Sequence, residues 1–243
     1  MNIAIIFAGG TGSRMNSKEK PKQFLTLFNK PIIVHTIEHF ENHPLVDAIV
    51  VVCITEWINH FQKLKYIYRL DKVKRVVPGG KTGQLSIYNG LKAARELDPT
   101  EQSIVLIHDG VRPLINEKVI TDNINSVLAY GSAITTGLVT ETILVVNSSD
   151  SIIEQVPMRE CSRVAKAPQS FWLRDILAAH EKFLAEGQNN IIDSCTMMQS
   201  WGMYLHLIDG PIENIKITTP ADFYIARAIL EAKENAQIYG LDE

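Results

Sequence analysis

The chain has 243 residues, 46% hydrophobic and 21% charged, with a formal net charge of −3. This is the composition of a globular protein with a full core, one large domain or one domain with an appendage. It offers no basic run for non-specific nucleic-acid binding and no apolar run of about 18 residues to span a membrane.

Residues 3–8 (IAIIFA) form a short apolar run that reads as a buried strand. It stops at Gly9-Gly10-Thr11-Gly12, followed by Arg14, Lys18, Lys20 and Lys22. Glycines there allow positive φ, so several N–H groups can turn toward one point. An anion fits that cradle and the cations behind it can neutralise it, which points to a nucleoside-triphosphate site at the end of the first strand. A P-loop is excluded because Gly12 is followed by Ser13-Arg14, and the dinucleotide fingerprint fails at Met15, where its third glycine would stand. The plain alternative is a strand-to-helix turn with a solvated basic face.

Beyond it, strands and helices alternate. Residues 31–40 predict a helix with Pro31 at its first position. Strands are expected at 47–53, 73–77 and 103–107, and helices at 56–68, 84–96 and 117–129. This spacing predicts a Rossmann-like, mostly parallel sheet with helices on both faces, built as one domain over 1–243. Its strand-end loops should gather on one edge, where ligands bind. From 131 to 156 the pattern changes to consecutive strands, 133–139, 142–146 and 151–155, with a turn at Asn147-Ser148-Ser149-Asp150. A hairpin leaving an α/β body, at about 137–160, is a candidate dimerisation arm. Helices follow at 173–185 and 193–201, then a strand at 204–208, a short segment at 214–217 and a last helix over 220–234 capped by Thr219. Cys53, Cys161 and Cys195 lie far apart, with Cys53 in an apolar run. They form no C-x-x-C pair, so a reducing cytoplasm is expected, without a signal peptide.

Four later segments carry chemical residues. They are 78–86 (PGGKTGQLS), 108–113 (HDGVRP), 140–142 (TET) and 214–218 (NIKIT). Asp109, at the end of a strand and opposite a triphosphate cradle, is placed to hold Mg²⁺. Arg112 behind it could grip a second phosphate through two N–H groups, or simply pair with Asp109 on the surface. His108 reads as a packing residue rather than a base, and Lys216 by itself as a solvated lysine.

The order and spacing of these motifs is more specific than any one of them. Residues 8–15, Pro21-Lys22-Gln23, Gly79-Gly80 with Ser86 and Gly90-Leu91, His108-Asp109 with Arg112-Pro113, Pro168-Gln169 and residues 214–218 together resemble the cytidylyltransferases that act on sugar-alcohol phosphates. Members of that family use 2-C-methyl-D-erythritol 4-phosphate or D-ribitol 5-phosphate. The resemblance implies that CTP lies on Ala8, Gly9, Gly10, Thr11 and Gly12, with cytosine and ribose read by Gly79, Gly80 and Ser86. It implies charge stabilisation of the α-phosphate by Arg14, Lys22 and Lys216, and Mg²⁺ on Asp109. It further implies acceptor binding by Arg112, Thr142 and Arg159, the last reaching in from a partner in a homodimer. The acceptor is already an ionised phosphate, so alignment and charge stabilisation suffice without a strong general base.

Three positions depart from the family pattern. Gly83 stands where an Arg is usual, Glu141-Thr142 where Asp-Thr is usual, and Ala167-Pro168-Gln169 where Thr-Pro-Gln is usual. Val111 before Arg112, Asp193-Ser194-Cys195 and Val156-Pro157-Met158-Arg159 resemble the ribitol-phosphate branch more than the methylerythritol branch. A non-catalytic nucleotide-binding module is the alternative of a different class, but Arg14, Lys22 and Lys216 are all present. A sugar-1-phosphate nucleotidyltransferase shares only the early motifs.

Overall fold

The computed structural model describes residues 1–9, 20–147, 149 and 152–239. Strand β1 (Asn2–Ala8) is the opening apolar run, fully buried from Ile3 to Ile6. Gly10, Thr11, Gly12 and Arg14 lie outside the described residues, as do Ser148 and Asp150 of the expected turn. A 3-10 turn, Lys22–Phe24, leads to a small ribbon of β2 (Thr26–Leu27) and β3 (Lys30–Pro31). Phe28 and Asn29 make its two-residue turn with φ of 47° and 60°, positive at both positions as the native twist of a hairpin requires. This ribbon was not anticipated, since Phe-Asn is not one of the usual turn pairs. Helix α1 (Ile32–Glu41) starts one residue after Pro31, which stands at its N-cap.

The expected alternation follows, with bounds within two residues of the sequence reading: β4 (Ala48–Cys53), α2 (Ile58–Ile67), β5 (Val73–Pro78), α3 (Gly83–Leu97), β6 (Ile104–Asp109) and α4 (Glu117–Tyr130). Caps explain the boundaries. Thr82 accepts from the Leu85 amide and Asn116 from the Val119 amide, each satisfying an orphan donor of a helix start. Gly131, at φ 83°, closes α4 in the left-handed conformation.

Strand β7 (Ser132–Leu138) then leads out to β8 (Val145–Val146) and β9 (Ile153–Gln155), a two-stranded arm shorter than expected. The chain returns through β10 (Arg163–Trp172), which sequence reading missed because Pro168 argues against an interior strand. The structure accommodates the proline within a register shift between Ala165 and Gln169. Helices α5 (Leu173–Ala185) and α6 (Ser194–Ser200) follow, and β11 (Leu207–Asp209) begins later than the expected strand at 204–208. Helix α7 (Pro220–Tyr239) runs past the expected end. At its start Asp222 accepts from both Thr219 N and Thr219 Oγ1, and Thr219 Oγ1 accepts from Asp222 N, a reciprocal cap of the predicted kind.

The main sheet has seven strands in the order β11-β7-β10-β6-β1-β4-β5. β1 pairs in parallel with both β4 and β6, and β10 runs antiparallel to β6 and β7. Helices α1, α2 and α4 cover one face through Ile37, Phe40, Phe61 and Ile124, and α3, α5 and α6 cover the other through Leu91, Ile176 and Met198. The strand order reverses at β1, which opens a crevice at the carboxyl ends of β1, β4 and β6. A smaller cluster of Leu27, Ile32, Val111, Leu114, Ile217 and Ala226 fastens α7 and the loop after β6 beside that crevice.

Candidate active site

The ends of β1 and β5 approach closely because glycines meet there. A Cβ on Gly9 or on Gly79 would lie 3.3 Å from Ser86 Oγ, and a Cβ on Gly80 would lie 2.4 Å from Leu85 Cβ. The Gly79 amide donates to Cys53 O at 2.8 Å, and the Gly80 amide donates to Ser86 Oγ at 3.0 Å. The structure thus brings Gly9, Gly79, Gly80 and Ser86 together, as sequence reading required. Ala8 ends β1, and its carbonyl accepts from Gln23 Nε2 at 2.6 Å.

Beside this lies a charged cluster. Asp109, the last residue of β6, is buried and receives two cations. Arg112 Nε donates to Oδ2 at 2.7 Å, and Lys216 Nζ lies 2.5 Å from Oδ1. Burial alone would raise the Asp109 pKa, but Arg112 and then Lys216 outweigh it and hold the carboxyl at about 2. Arg112 Nη1 also donates to Asn214 O at 3.0 Å, and Asn214 Nδ2 donates to Ala167 O at 2.7 Å. Lys22 Nζ donates to Ile217 O at 2.9 Å, while Ile217 N donates to Val111 O. Two distant segments, 22–24 and 214–218, are therefore tied to the loop after β6. Lys216 is exposed, as the reading of it as a solvated lysine expected, but its ammonium is ion-paired with Asp109 and sits 5.7 Å from the Phe7 ring centroid. His108 is fully buried, and burial pushes its imidazole down to about 3 against the pull of Asp109. It is neutral and structural, as read.

A cavity of about 330 Å³ opens on this cluster, lined by Asp109, Arg112 and Lys216 and also by Lys166, Gln169 and Ser194 among others. Gln169 is a staple in its wall. Its Nε2 donates to Asp193 Oδ2 at 3.1 Å and its Oε1 accepts from the Cys195 amide at 2.7 Å. Gln84 pins the adjoining loop by donating to Gln188 O and accepting from the Ile191 amide, both at 2.8 Å. Ser194 Oγ is buried without a partner among the described residues. Gln169 and Gln84 both stood in motifs of the sequence without a role of their own. Lys166 was not singled out, and it reaches the cavity only because β10 exists.

Thr142 and Arg159 meet each other, not the cavity. Arg159 Nη2 donates to Thr142 Oγ1 at 3.3 Å on the exposed arm. Of the three expected acceptor residues, only Arg112 lines the cavity.

Among the described residues no group of three or more His, Cys, Asp or Glu side chains could hold a metal ion. A magnesium ion, however, is commonly held by one or two carboxylates together with substrate phosphates and water. Asp109 meets that lesser demand through the second lone pair of each oxygen, since Arg112 Nε holds Oδ2 and Lys216 Nζ holds Oδ1. No described helix is long and apolar enough to cross a membrane.

Comparison with known proteins shows what the chain is similar to. The family model described as 2-C-methyl-D-erythritol 4-phosphate cytidylyltransferase (IspD) matches residues 2–232. The chain is 53% identical over 241 residues to the ribitol-5-phosphate cytidylyltransferase of Streptococcus agalactiae serotype III, covering 99% of this chain and 100% of that one. It is 39% identical over 232 residues to the 2-C-methyl-D-erythritol 4-phosphate cytidylyltransferase of Clostridium acetobutylicum, covering 95% and 98%. Among solved structures, the 4-diphosphocytidyl-2C-methyl-D-erythritol synthase of Anaerococcus prevotii superposes with a TM-score of 0.81 at 28% identity, covering 95% of this chain and 96% of that one.

Proposed function

Because the chain belongs to the 2-C-methyl-D-erythritol 4-phosphate cytidylyltransferase family, we propose that it transfers the cytidylyl group of CTP to D-ribitol 5-phosphate, giving CDP-ribitol and pyrophosphate. The observation that carries the reaction is the Asp109–Arg112–Lys216 cluster facing one cavity beside the glycine crevice. The choice of acceptor is supported by 53% identity to a ribitol-phosphate enzyme against 39% to a methylerythritol-phosphate enzyme, each over nearly the whole chain.

In this reading an oxygen of the acceptor's phosphate attacks the α-phosphorus of CTP. The bond from that phosphorus to the bridging oxygen breaks, and its electron pair leaves with pyrophosphate. The nucleophile is already ionised at neutral pH, so the neutral, buried His108 is not needed as a base. Lys22 and Lys216, joined by Arg14 of the glycine segment, stabilise the charge that gathers on the α-phosphate. The nucleotide rests on Ala8, Gly9, Gly10, Thr11 and Gly12, with Gly79, Gly80 and Ser86 taking the cytosine and ribose. Asp109 would hold magnesium, which neutralises triphosphate charge when bound. Arg112 holds the acceptor phosphate, and Thr142 with Arg159 serves the acceptor site of a partner subunit in a cytoplasmic homodimer of one-domain chains.

The test is pyrophosphate release from the whole protein with CTP, Mg²⁺ and a panel of polyol phosphates. Turnover should require CTP and be abolished by EDTA. Equal turnover with ATP, or full activity in EDTA, refutes the reading.

A further inference from the structure

Strand β10 is regular on both sides of its register shift but not across it: pairing with β7 stops at Ala165 and resumes at Gln169. Lys166 lies in that gap. Irregularities of this kind re-aim side chains and concentrate at active sites. The Lys166 stem passes over Gly137 of β7, where a Cβ would stand 2.7 Å from Lys166 Cε, so the glycine lets the lysine stem lie flat against β7. Its ammonium donates to Pro211 O at 3.0 Å and Ile212 O at 3.2 Å. An ammonium has three donors, and these carbonyls engage two. The residue lines the same cavity as Asp109, Arg112 and Lys216.

The charges of that cavity do not balance. The carboxylate of Asp109 is shared by Arg112 and Lys216, and Lys166 adds a third cation to the walls. Asp193, the other acidic residue there, is engaged as an acceptor by Gln169 Nε2 and the Thr196 amide. Burial and the nearby Arg112 both lower the Lys166 pKa, with Glu213 offsetting them in part, so an incoming anion would relieve a disfavoured charge. The wall at Gly83 supplies no side chain, and a Cβ there would meet nothing within 4 Å.

We infer that Lys166 binds the phosphate of the acceptor together with Arg112, delivered into the cavity by the irregular turn of β10. This rests on the proposed reaction for the identity of the anion. The role is binding rather than charge stabilisation at the α-phosphorus, so it should show in acceptor affinity and leave CTP untouched.

The experiment is calorimetric titration of D-ribitol 5-phosphate into the wild-type protein, Lys166→Gln and Lys166→Arg, with steady-state kinetics and melting temperature on the same samples. Lys166→Gln should weaken acceptor binding by about tenfold or more, the scale of one charged hydrogen bond. Its KM for CTP should hold, and Lys166→Arg should recover most of the loss. Unchanged acceptor affinity in a folded Lys166→Gln overturns the inference. So does an equal loss for CTP and acceptor, or a loss that follows only a fall in melting temperature, which makes Lys166 a tie to the 211–212 carbonyls. Wild-type protein that binds ribitol 5-phosphate but transfers no cytidylyl group refutes the proposed reaction and leaves Lys166 standing. Absence of binding to the wild type overturns both.

Discussion

Asp109 is where the site's charges meet, and its environment makes two predictions. Asp109→Asn keeps the shape but leaves the buried Arg112 guanidinium without its counter-charge. Breaking a buried pair in this way costs about 3 kcal/mol, to be read in urea unfolding, and most activity should go with it. The pH dependence follows from the direction of the shift. The carboxyl is held at about 2, below its ordinary 3.8, so the folded protein binds that proton less tightly than the unfolded chain. The stabilisation from Asp109 is then complete above pH 3.8 and drains away as pH falls through about 2. The stability gap between wild type and Asp109→Asn should close over that interval; a gap constant down to pH 2 would contradict the assignment. For Lys22→Ala and Lys216→Ala, kcat should fall more than KM rises, by about a hundredfold, the typical loss of one preorganised donor. An unchanged kcat in either variant would remove that lysine from the mechanism. Residue reading grouped side chains that the structure brings together where the spacing is local: Gly79-Gly80 with Ser86, and Asp109 with Arg112, each lie within a few positions. Lys216 looked like a surface lysine because its partner is far away in the chain, and only the resemblance lifted it.

At the level of elements, α3 shows why helices sit where they do on the sheet. A Cβ at Gly90 would lie 2.6 Å from Ile5 Cγ2 and 2.9 Å from Val52 Cγ2, so the helix touches β1 and β4 through that glycine. Gly90→Ala should destabilise by about 1–3 kcal/mol, the range for overpacking a filled interior. Gly83→Ala, on the same helix with open space around it, should be neutral or stabilise by up to about 1 kcal/mol. Equal effects in denaturant titrations would contradict this packing. The elements with continuous apolar runs or helical spacing were legible in the sequence. β10 was not, because Lys166 and Pro168 break its pattern and its regularity comes from pairing with β6 and β7 rather than from propensity. The β2–β3 ribbon escaped for a related reason, its turn residues being held at positive φ by the surrounding fold.

For the whole molecule, the alternation of strands and helices was enough to gather the strand-end loops on one edge, but the strand order and its reversal around β1 are seen only in the structure. The antiparallel return of β10, which carries much of the cavity wall, was not contained in that pattern. The arm carries apolar side chains that the body does not cover. Ile152, Val156 and Met158 are all more than half exposed, and a lone two-stranded hairpin is marginal in water. The account therefore predicts a homodimer joined through the arm, and a monomer by light scattering at micromolar concentration would contradict it. The central claim, cytidylyl transfer to a pentitol phosphate, depends on discrimination at the polyol end, since the phosphate cations serve either acceptor. A site that pairs with hydroxyls rejects an analogue lacking them strongly, whereas a methyl group is worth only about 1–3 kcal/mol. The most direct measurement is kcat/KM for D-ribitol 5-phosphate and 2-C-methyl-D-erythritol 4-phosphate side by side, with saturating CTP and Mg²⁺. The account predicts a ratio favouring ribitol 5-phosphate by at least about tenfold; a ratio favouring the methylerythritol acceptor would contradict it.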